Sequence, residues 1–213
     1  MQTTRGTALT PTAPPTGQAR RGIDRRLVWL LITVTGLAVD QVTKQLAVTR
    51  LDPTRPVEVL GPLLRLQLTW NDGAAFSLGG GARITWVFTT FAAIVLVGVV
   101  GYAFARLRHR GWAVVLGLLG AGITGNLTDR LLRPPGFGVG HVVDFLQLPY
   151  WPIFNVADIC VTSAAVGIVW LAVIKNVSPG YASGRPPEPE QDTEQEQGAA
   201  REQDTDAGPE GDR

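Results

Sequence analysis

The sequence predicts an all-α membrane protein, with four transmembrane helices and a small extracytoplasmic β element. Three observations predict it. Four apolar stretches fall within about 150 residues, each near the roughly 20 residues that cross a hydrocarbon core of about 30 Å. Arginines gather beside alternate connections between those stretches. Two short segments outside the spans alternate apolar and polar residues.

The first span covers about 27–48, running apolar from Leu27 to Val39 and on past Asp40. Arg20, Arg21, Arg25 and Arg26 precede it, as in a signal peptide. The run leads, however, into Asp40-Gln-Val-Thr-Lys44 rather than a small-residue cleavage site, so the helix is expected to be retained. The second span, 84–104, is uninterrupted by charge. The third and fourth cover 112–132 and 156–174. Arg106, Arg108 and Arg110 fill the link between spans two and three, and the positive-inside rule places that link and the arginines before span one in the cytoplasm. Four spans then return both termini to the cytoplasm and leave 49–83 and 133–155 outside. In the first outer loop, Val57–Leu60 and Leu64–Trp70 alternate at period two, as half-buried strands do, with Gly61-Pro62 marking a turn between them.

Composition sets the ends apart. Ten of the eighteen acidic residues follow Pro187, in a stretch rich in Gln, Gly and Pro. Such a segment buries too little apolar surface to offset its ordering entropy, so 178–213 reads as an acidic, disordered cytoplasmic tail and 1–20 as a loose N-terminal extension. The intervening 21–177 form one four-span domain. A single cysteine, Cys160, excludes an intrachain disulfide and reads as a small buried hydrophobe. Short basic clusters without a recognition motif give nucleic-acid binding no support.

Charged residues inside spans are costly and need a reason. At about 1.5 Å per residue, Asp40 lies about 20 Å up its helix, Asn126 and Asp129 about 21 and 26 Å up span three, and Asp158 about 26 Å up span four. Three helices thus hold acids at nearly one level, close to the outer surface. Asp40 and Lys44 share a helix face, as do Asn126, Asp129 and Arg130. Asn155 and Asp158 stand at the entry to span four, and the loop before it brings Asp144 into the same layer. The bland reading is an ion-pair network, Asp40–Lys44 and Asp129–Arg130, that holds the bundle together. Two cations do not neutralise four aspartates, and crowded carboxylates in a low-dielectric site raise at least one pKa. Two carboxylates sharing a proton and a water can hydrolyse a peptide bond.

Other chemistries fit less well. His141-Val-Val-Asp144 offers two metal ligands, but His109 lies on the other side of the membrane, so neither a metal nor a cofactor is expected. Ser163 has no basic partner nearby and sits in no nucleophile elbow, and Cys160 has no paired histidine. A carboxylate-lined transporter would place its site at the midplane between repeated halves, which the two pairs of spans do not resemble. A non-enzymatic membrane scaffold is the third reading.

Five segments, in order, resemble the signature blocks of the lipoprotein signal peptidase (signal peptidase II) family. They are Asp40-Gln-Val-Thr-Lys44, Asn71-Asp-Gly-Ala-Ala-Phe76, Gly125-Asn-Leu-Thr-Asp-Arg130, Val142-Val-Asp-Phe145 and Phe154-Asn-Val-Ala-Asp158. The one departure is a polar Thr124 before Gly125. The resemblance implies a metal-independent intramembrane aspartic endopeptidase of the bacterial cytoplasmic membrane. Such an enzyme removes signal peptides from prolipoproteins by cutting before a diacylglyceryl-modified cysteine. It maps the catalytic pair onto Asp144 and Asp158, a choice among the four aspartates that the residues alone leave open. It assigns substrate-binding or supporting roles to Asp40, Lys44, Asn71, Gly73, Asn126, Asp129, Arg130, Asn155 and Ala157. It also implies membrane lipids as partners and the cyclic peptide globomycin as inhibitor. The glycines of 73–81 have the freedom that a lid over the site would need.

Overall fold

The computed structural model describes residues 24–73 and 82–181. The N-terminal extension, most of the acidic tail, the Ala74–Phe76 end of the second block and the expected lid beyond Gly73 lie outside the described residues.

Among the described residues, four helices are long and apolar enough to cross a membrane. Helix α1 spans Arg25–Arg50, its first turn capped by the Asp24 carboxylate, which accepts from the Arg26 N–H. Helices α2, Ala82–Arg106, and α3, Arg110–Leu132, each run a few residues beyond the apolar stretch that predicts them. His109 Nδ1 caps α3 by accepting from the Gly111 N–H at 3.1 Å. Helix α4, Val156–Val169, continues into a π-helical turn over Trp170–Ile174. The chain then folds back. Trp112 Nε1 donates to the Val177 carbonyl at 2.8 Å, and the Arg108 N–H to the Pro179 carbonyl at 3.1 Å. Ser178–Tyr181, expected to begin the tail, are therefore docked on the α2–α3 link.

The middle of the bundle belongs to α3, which packs on the other three helices. More than half of its apolar window, 56 %, is buried inside the protein, against 17 % for each other span. Leu30, Leu31 and Val34 of α1, Ile94 and Val97 of α2, Val166 of α4 and Val173 of the π-helical turn instead stay exposed. That is the expected distribution when the surrounding medium is lipid rather than water.

Both sequence-predicted strands form, in shortened or shifted versions: β1 at Val57–Glu58 and β2 at Arg65–Asn71. A third, β3 at Val142–Gln147, stands where a loop was expected around Asp144. The three make an antiparallel sheet in the order β1-β2-β3, with Thr69 opposite Asp144 and Asn71 opposite Val142. Val143 and Phe145 of β3 join Leu68 of β2 and Ala47 of α1 in an apolar cluster that seats the sheet on the end of the bundle. A second cluster, built on Trp29, Val99, Ala103, Leu107 and Trp112, closes the opposite end. The polar residues of the spans lie between the two.

Candidate active site

Lys44, on α1, is fully buried. Its ammonium has three protons and meets three acceptors: Asp40 Oδ2 at 2.9 Å, Asp129 Oδ2 at 2.8 Å and Asn126 Oδ1 at 2.9 Å. Asp129 is held from the other side by Arg133 Nε at 2.6 Å. The two aspartates also brace the scaffold. Asp40 Oδ1 accepts from the Ala157 N–H at 2.8 Å, tying α1 to the first turn of α4. Asp129 Oδ2 accepts from the Val143 N–H at 3.2 Å, tying α3 to β3. Two cations thus stand against these two carboxylates, as a buried charge cluster requires.

Asp144 and Asp158 are held differently. Asp144 is almost fully buried. Its Oδ1 accepts from Asn155 Nδ2 at 2.6 Å and its Oδ2 from Asn71 Nδ2 at 3.0 Å. Asp158 Oδ1 accepts from Asn126 Nδ2 at 2.9 Å and its Oδ2 from the Asn155 N–H at 3.1 Å. Every one of these donors is neutral, and among the described residues no cation lies within salt-bridge distance of either carboxylate.

Each asparagine is oriented by what its carbonyl oxygen accepts. Asn126 Oδ1 faces Lys44 Nζ, which leaves its amide to donate to Asp158. Asn155 Oδ1 accepts from the Asp158 N–H at 3.0 Å, completing a capping box at the start of α4 and aiming its amide at Asp144. Asn71 Oδ1 accepts from the Gly73 N–H at 2.8 Å, in a tight turn that glycine allows at φ +94°. Burial of the Asp144 carboxyl, outside the spans on β3, pushes its pKa up to about 6. The Asn71 hydrogen bond opposes the rise, the charge of Asp158 adds to it, and Asn155 and Lys44 oppose it further.

A cavity of about 290 Å³ opens beside the two carboxylates. Asn126 and Arg130 line it with Asp144 and Asp158, and Phe88 and Phe91 of α2 form its apolar wall. Arg130 Nη1 is buried there without a hydrogen-bond partner among the described residues. Gly73 also lines the cavity, 3.6 Å from Arg130 Nη2 to the place a Cβ would occupy.

All the residues expected at the site come together. Asp40, Lys44, Asn71, Asn126, Asp129, Asp144, Asn155 and Asp158 form one hydrogen-bonded network, Ala157 joins through its backbone, and Gly73 and Arg130 line the cavity. One expected pairing is corrected: Asp129 pairs with Lys44 and Arg133, whereas Arg130 faces the cavity. Arg133 was missed because it lies just past the apolar run, although its i,i+4 spacing from Asp129 was visible. Gln41 was also missed; its amide donates to Asp40 Oδ2 and to the Gly125 carbonyl, both at 3.1 Å.

A four-helix bundle of membrane-spanning length with two carboxylates beside an apolar-walled cavity fits the class of membrane aspartic peptidases. A family profile described as "Signal peptidase (SPase) II" matches residues 32–174. The chain belongs to this family, the lipoprotein signal peptidases, and is a multi-pass bacterial membrane hydrolase that removes signal peptides from prolipoproteins. The lipoprotein signal peptidase of Leifsonia xyli subsp. xyli is 45 % identical over 152 residues, covering 70 % of this chain and 68 % of that protein. The enzyme of Mycobacterium avium is 47 % identical over 150 residues, covering 70 % and 81 %. A solved structure described as a bacterial membrane enzyme is similar at a TM-score of 0.61 and 28 % identity, covering 76 % of this chain and 94 % of that one. The family disfavours the transporter and scaffold readings.

Proposed function

We propose that Asp144 and Asp158 are the catalytic pair and that the bond they cut lies just before a diacylglyceryl-modified cysteine. One observation carries the assignment. Of the four aspartates in the cluster, Asp40 and Asp129 are ion-paired with Lys44 and Arg133, while among the described residues Asp144 and Asp158 have neutral amide groups as their hydrogen-bond donors and share with Arg130 the lining of a cavity. Two carboxylates beside one cavity, neither in a direct ion pair, can hold a proton and a water between them. Burial raises the Asp144 carboxyl to about 6, which suits it to donate a proton.

In the reaction, Asp158 takes a proton from a water whose oxygen attacks the scissile carbonyl carbon. Asp144 gives its proton to the carbonyl oxygen. As the tetrahedral species collapses, the C–N bond breaks, the proton on Asp158 passes to the leaving amine, and one hydroxyl proton of the tetrahedral species returns to Asp144. The products are a signal-peptide carboxylic acid, which ionises in water, and a lipidated cysteine with a free amino group. Asn71, Asn126 and Asn155 keep the two carboxylates in place while charge moves between them.

Arg25, Arg26, Arg106, Arg108 and Arg110 support cytoplasmic placement of that end of the bundle, and hence of both termini, with the carboxylates near the outer face. Substrate acyl chains in the outer leaflet would then reach the cavity beside Phe88 and Phe91, which is also where globomycin would bind. Membrane lipids cover the exposed apolar faces of the spans. Residues 21–177 carry the activity.

The test is cleavage of a diacylglyceryl-modified prolipoprotein by the purified protein in EDTA, with products read by mass spectrometry. The expected product begins at the lipidated cysteine, and globomycin suppresses it. A cut elsewhere, or one that EDTA abolishes, would refute the assignment.

A further inference from the structure

The end of the bundle away from the sheet carries an unbalanced charge. Arg25 and Arg26 open α1, Arg106, Arg108 and Arg110 surround the α2–α3 link, and Lys175 follows the π-helical turn. Among the described residues at that end the acid is Asp24, and its carboxylate caps α1. Among the described residues no carboxylate lies within salt-bridge distance of Arg106, Arg108 or Arg110. Beside the link opens a cavity of about 890 Å³, lined by Tyr102, Ala105, Arg106, Arg108, Ser178 and Tyr181. Both of its arginines are exposed. Cations crowded on one surface raise the local potential and draw anions to it.

The chain itself delivers an anion to this place. After α4 it turns back, the Val177 carbonyl accepting from Trp112 Nε1 and the Pro179 carbonyl from the Arg108 N–H, so that Ser178 and Tyr181 become part of the cavity wall. Seven residues beyond Tyr181 begins a run of five acids at alternate positions, with no basic residue among them: Glu188, Glu190, Asp192, Glu194 and Glu196. A coil of seven residues spans about 15 Å, so the run starts within reach of the arginines. Covalent connection over so short a link presents the run to them at an effective concentration on the order of millimolar.

We propose that the acidic segment 188–196 of this chain docks on the cavity at the α2–α3 link, its carboxylates pairing with Arg106 and Arg108. A guanidinium meets a carboxylate through two parallel N–H donors, which favours arginine over lysine for such a seat. Each exposed ion pair is weak, so docking needs several acids within reach of several arginines, and the alternating run supplies them. The arginines would otherwise face the anionic head groups of the adjoining leaflet, which attract them by the same chemistry. Docked, the segment takes the place of such a lipid and holds the fold-back of Ser178 and Tyr181 on the link. The proposal is independent of the assignment of the cut to Asp144 and Asp158.

The test uses the whole chain with Cys160→Ser, so that Ala105→Cys in the cavity wall and Gln191→Cys in the segment supply its two thiols. Disulfide formation between them under a mild oxidant is timed in bilayer discs of zwitterionic phosphatidylcholine. One comparison protein adds Arg106→Gln and Arg108→Gln. The other adds Glu188→Gln, Glu190→Gln, Asp192→Asn, Glu194→Gln and Glu196→Gln, and all three are first shown to be folded by their thermal midpoints. The protein with its charges intact should cross-link about fivefold faster than either, the size expected of two or three exposed ion pairs acting together. That advantage should vanish at about 1 M salt, where charges are screened beyond about 3 Å. Equal rates in all three proteins would overturn the docking. An advantage lost with the neutral segment but kept without the arginines would overturn the cavity as its seat. Discs containing an equal part of anionic phosphatidylglycerol separate the two anions. The advantage should persist in them, and its disappearance would make lipid head groups the occupant and overturn the proposal.

Discussion

Asp129 and Arg130 are sequence neighbours of opposite charge, yet they do not pair. Successive helical residues point about 100° apart, whereas residues four apart nearly share a face. That geometry gives Asp129 to Arg133 and sends Arg130 toward the cavity. The Asp40–Lys44 pair obeys the same rule and was legible in the sequence for that reason. The link from Lys44 across to Asp129 was not, because helix spacing says nothing about which residue of a second helix comes opposite. At the same scale, the hydrogen bond from Asn71 holds the Asp144 pKa down against burial. Asn71→Ala removes that restraint, so the Asp144 pKa should rise further above its value of about 6. A pH profile of kcat/KM for the variant should then show its alkaline limb displaced to higher pH, since Asp144 keeps its proton longer. A limb displaced to lower pH would mean that Asn71 acts in some other way.

Among the elements, the helices were legible to within a few residues, since membrane spans announce themselves by composition. The third strand was not. Val142-Val-Asp-Phe-Leu-Gln147 has apolar residues on both faces because helices and loop cover both, and burial on both sides erases the period-two signal. Without that strand, the sequence could place Asp144 in the outer layer but could not bring Asn71 to it. The α3–α4 contact was equally silent. A Cβ at Gly122 would collide with the Ala157 carbonyl and come within 2.5 Å of Val161 Cγ2. Ala157 is also the residue whose N–H holds Asp40. Gly122→Ala should therefore cost about 1–3 kcal/mol by overpacking, lower the thermal midpoint in detergent and reduce cleavage. Gly98→Ala, where a Cβ meets nothing within 4 Å, should leave both unchanged. Equal behaviour of the two variants would contradict the close packing of α3 on α4.

At the scale of the whole molecule, two apolar clusters close the ends of the bundle and leave the polar network between them, nearer the sheet. The network draws on α1 for Asp40 and Lys44, on α3 for Asn126 and Asp129, on the start of α4 for Asn155 and Asp158, and on β2 and β3 for Asn71 and Asp144. Helix α2 adds an apolar wall rather than a charge. Depth counting along each helix put the spans' share of this network at one level, in agreement with the bonds among them, because a rigid rise per residue turns sequence position into height. The choice of two aspartates out of four needed the partners of each, and those emerge only when all the elements are assembled. Cleavage is therefore the most direct probe of the whole arrangement. The decisive measurement is turnover of a lipidated prolipoprotein by wild type, Asp144→Asn and Asp158→Asn, each first shown to be folded by its thermal midpoint. Two carboxylates acting together on one bond predict loss of at least about a thousandfold in both variants. Substantial cleavage by either one would contradict the assignment and return attention to Asp40 and Asp129.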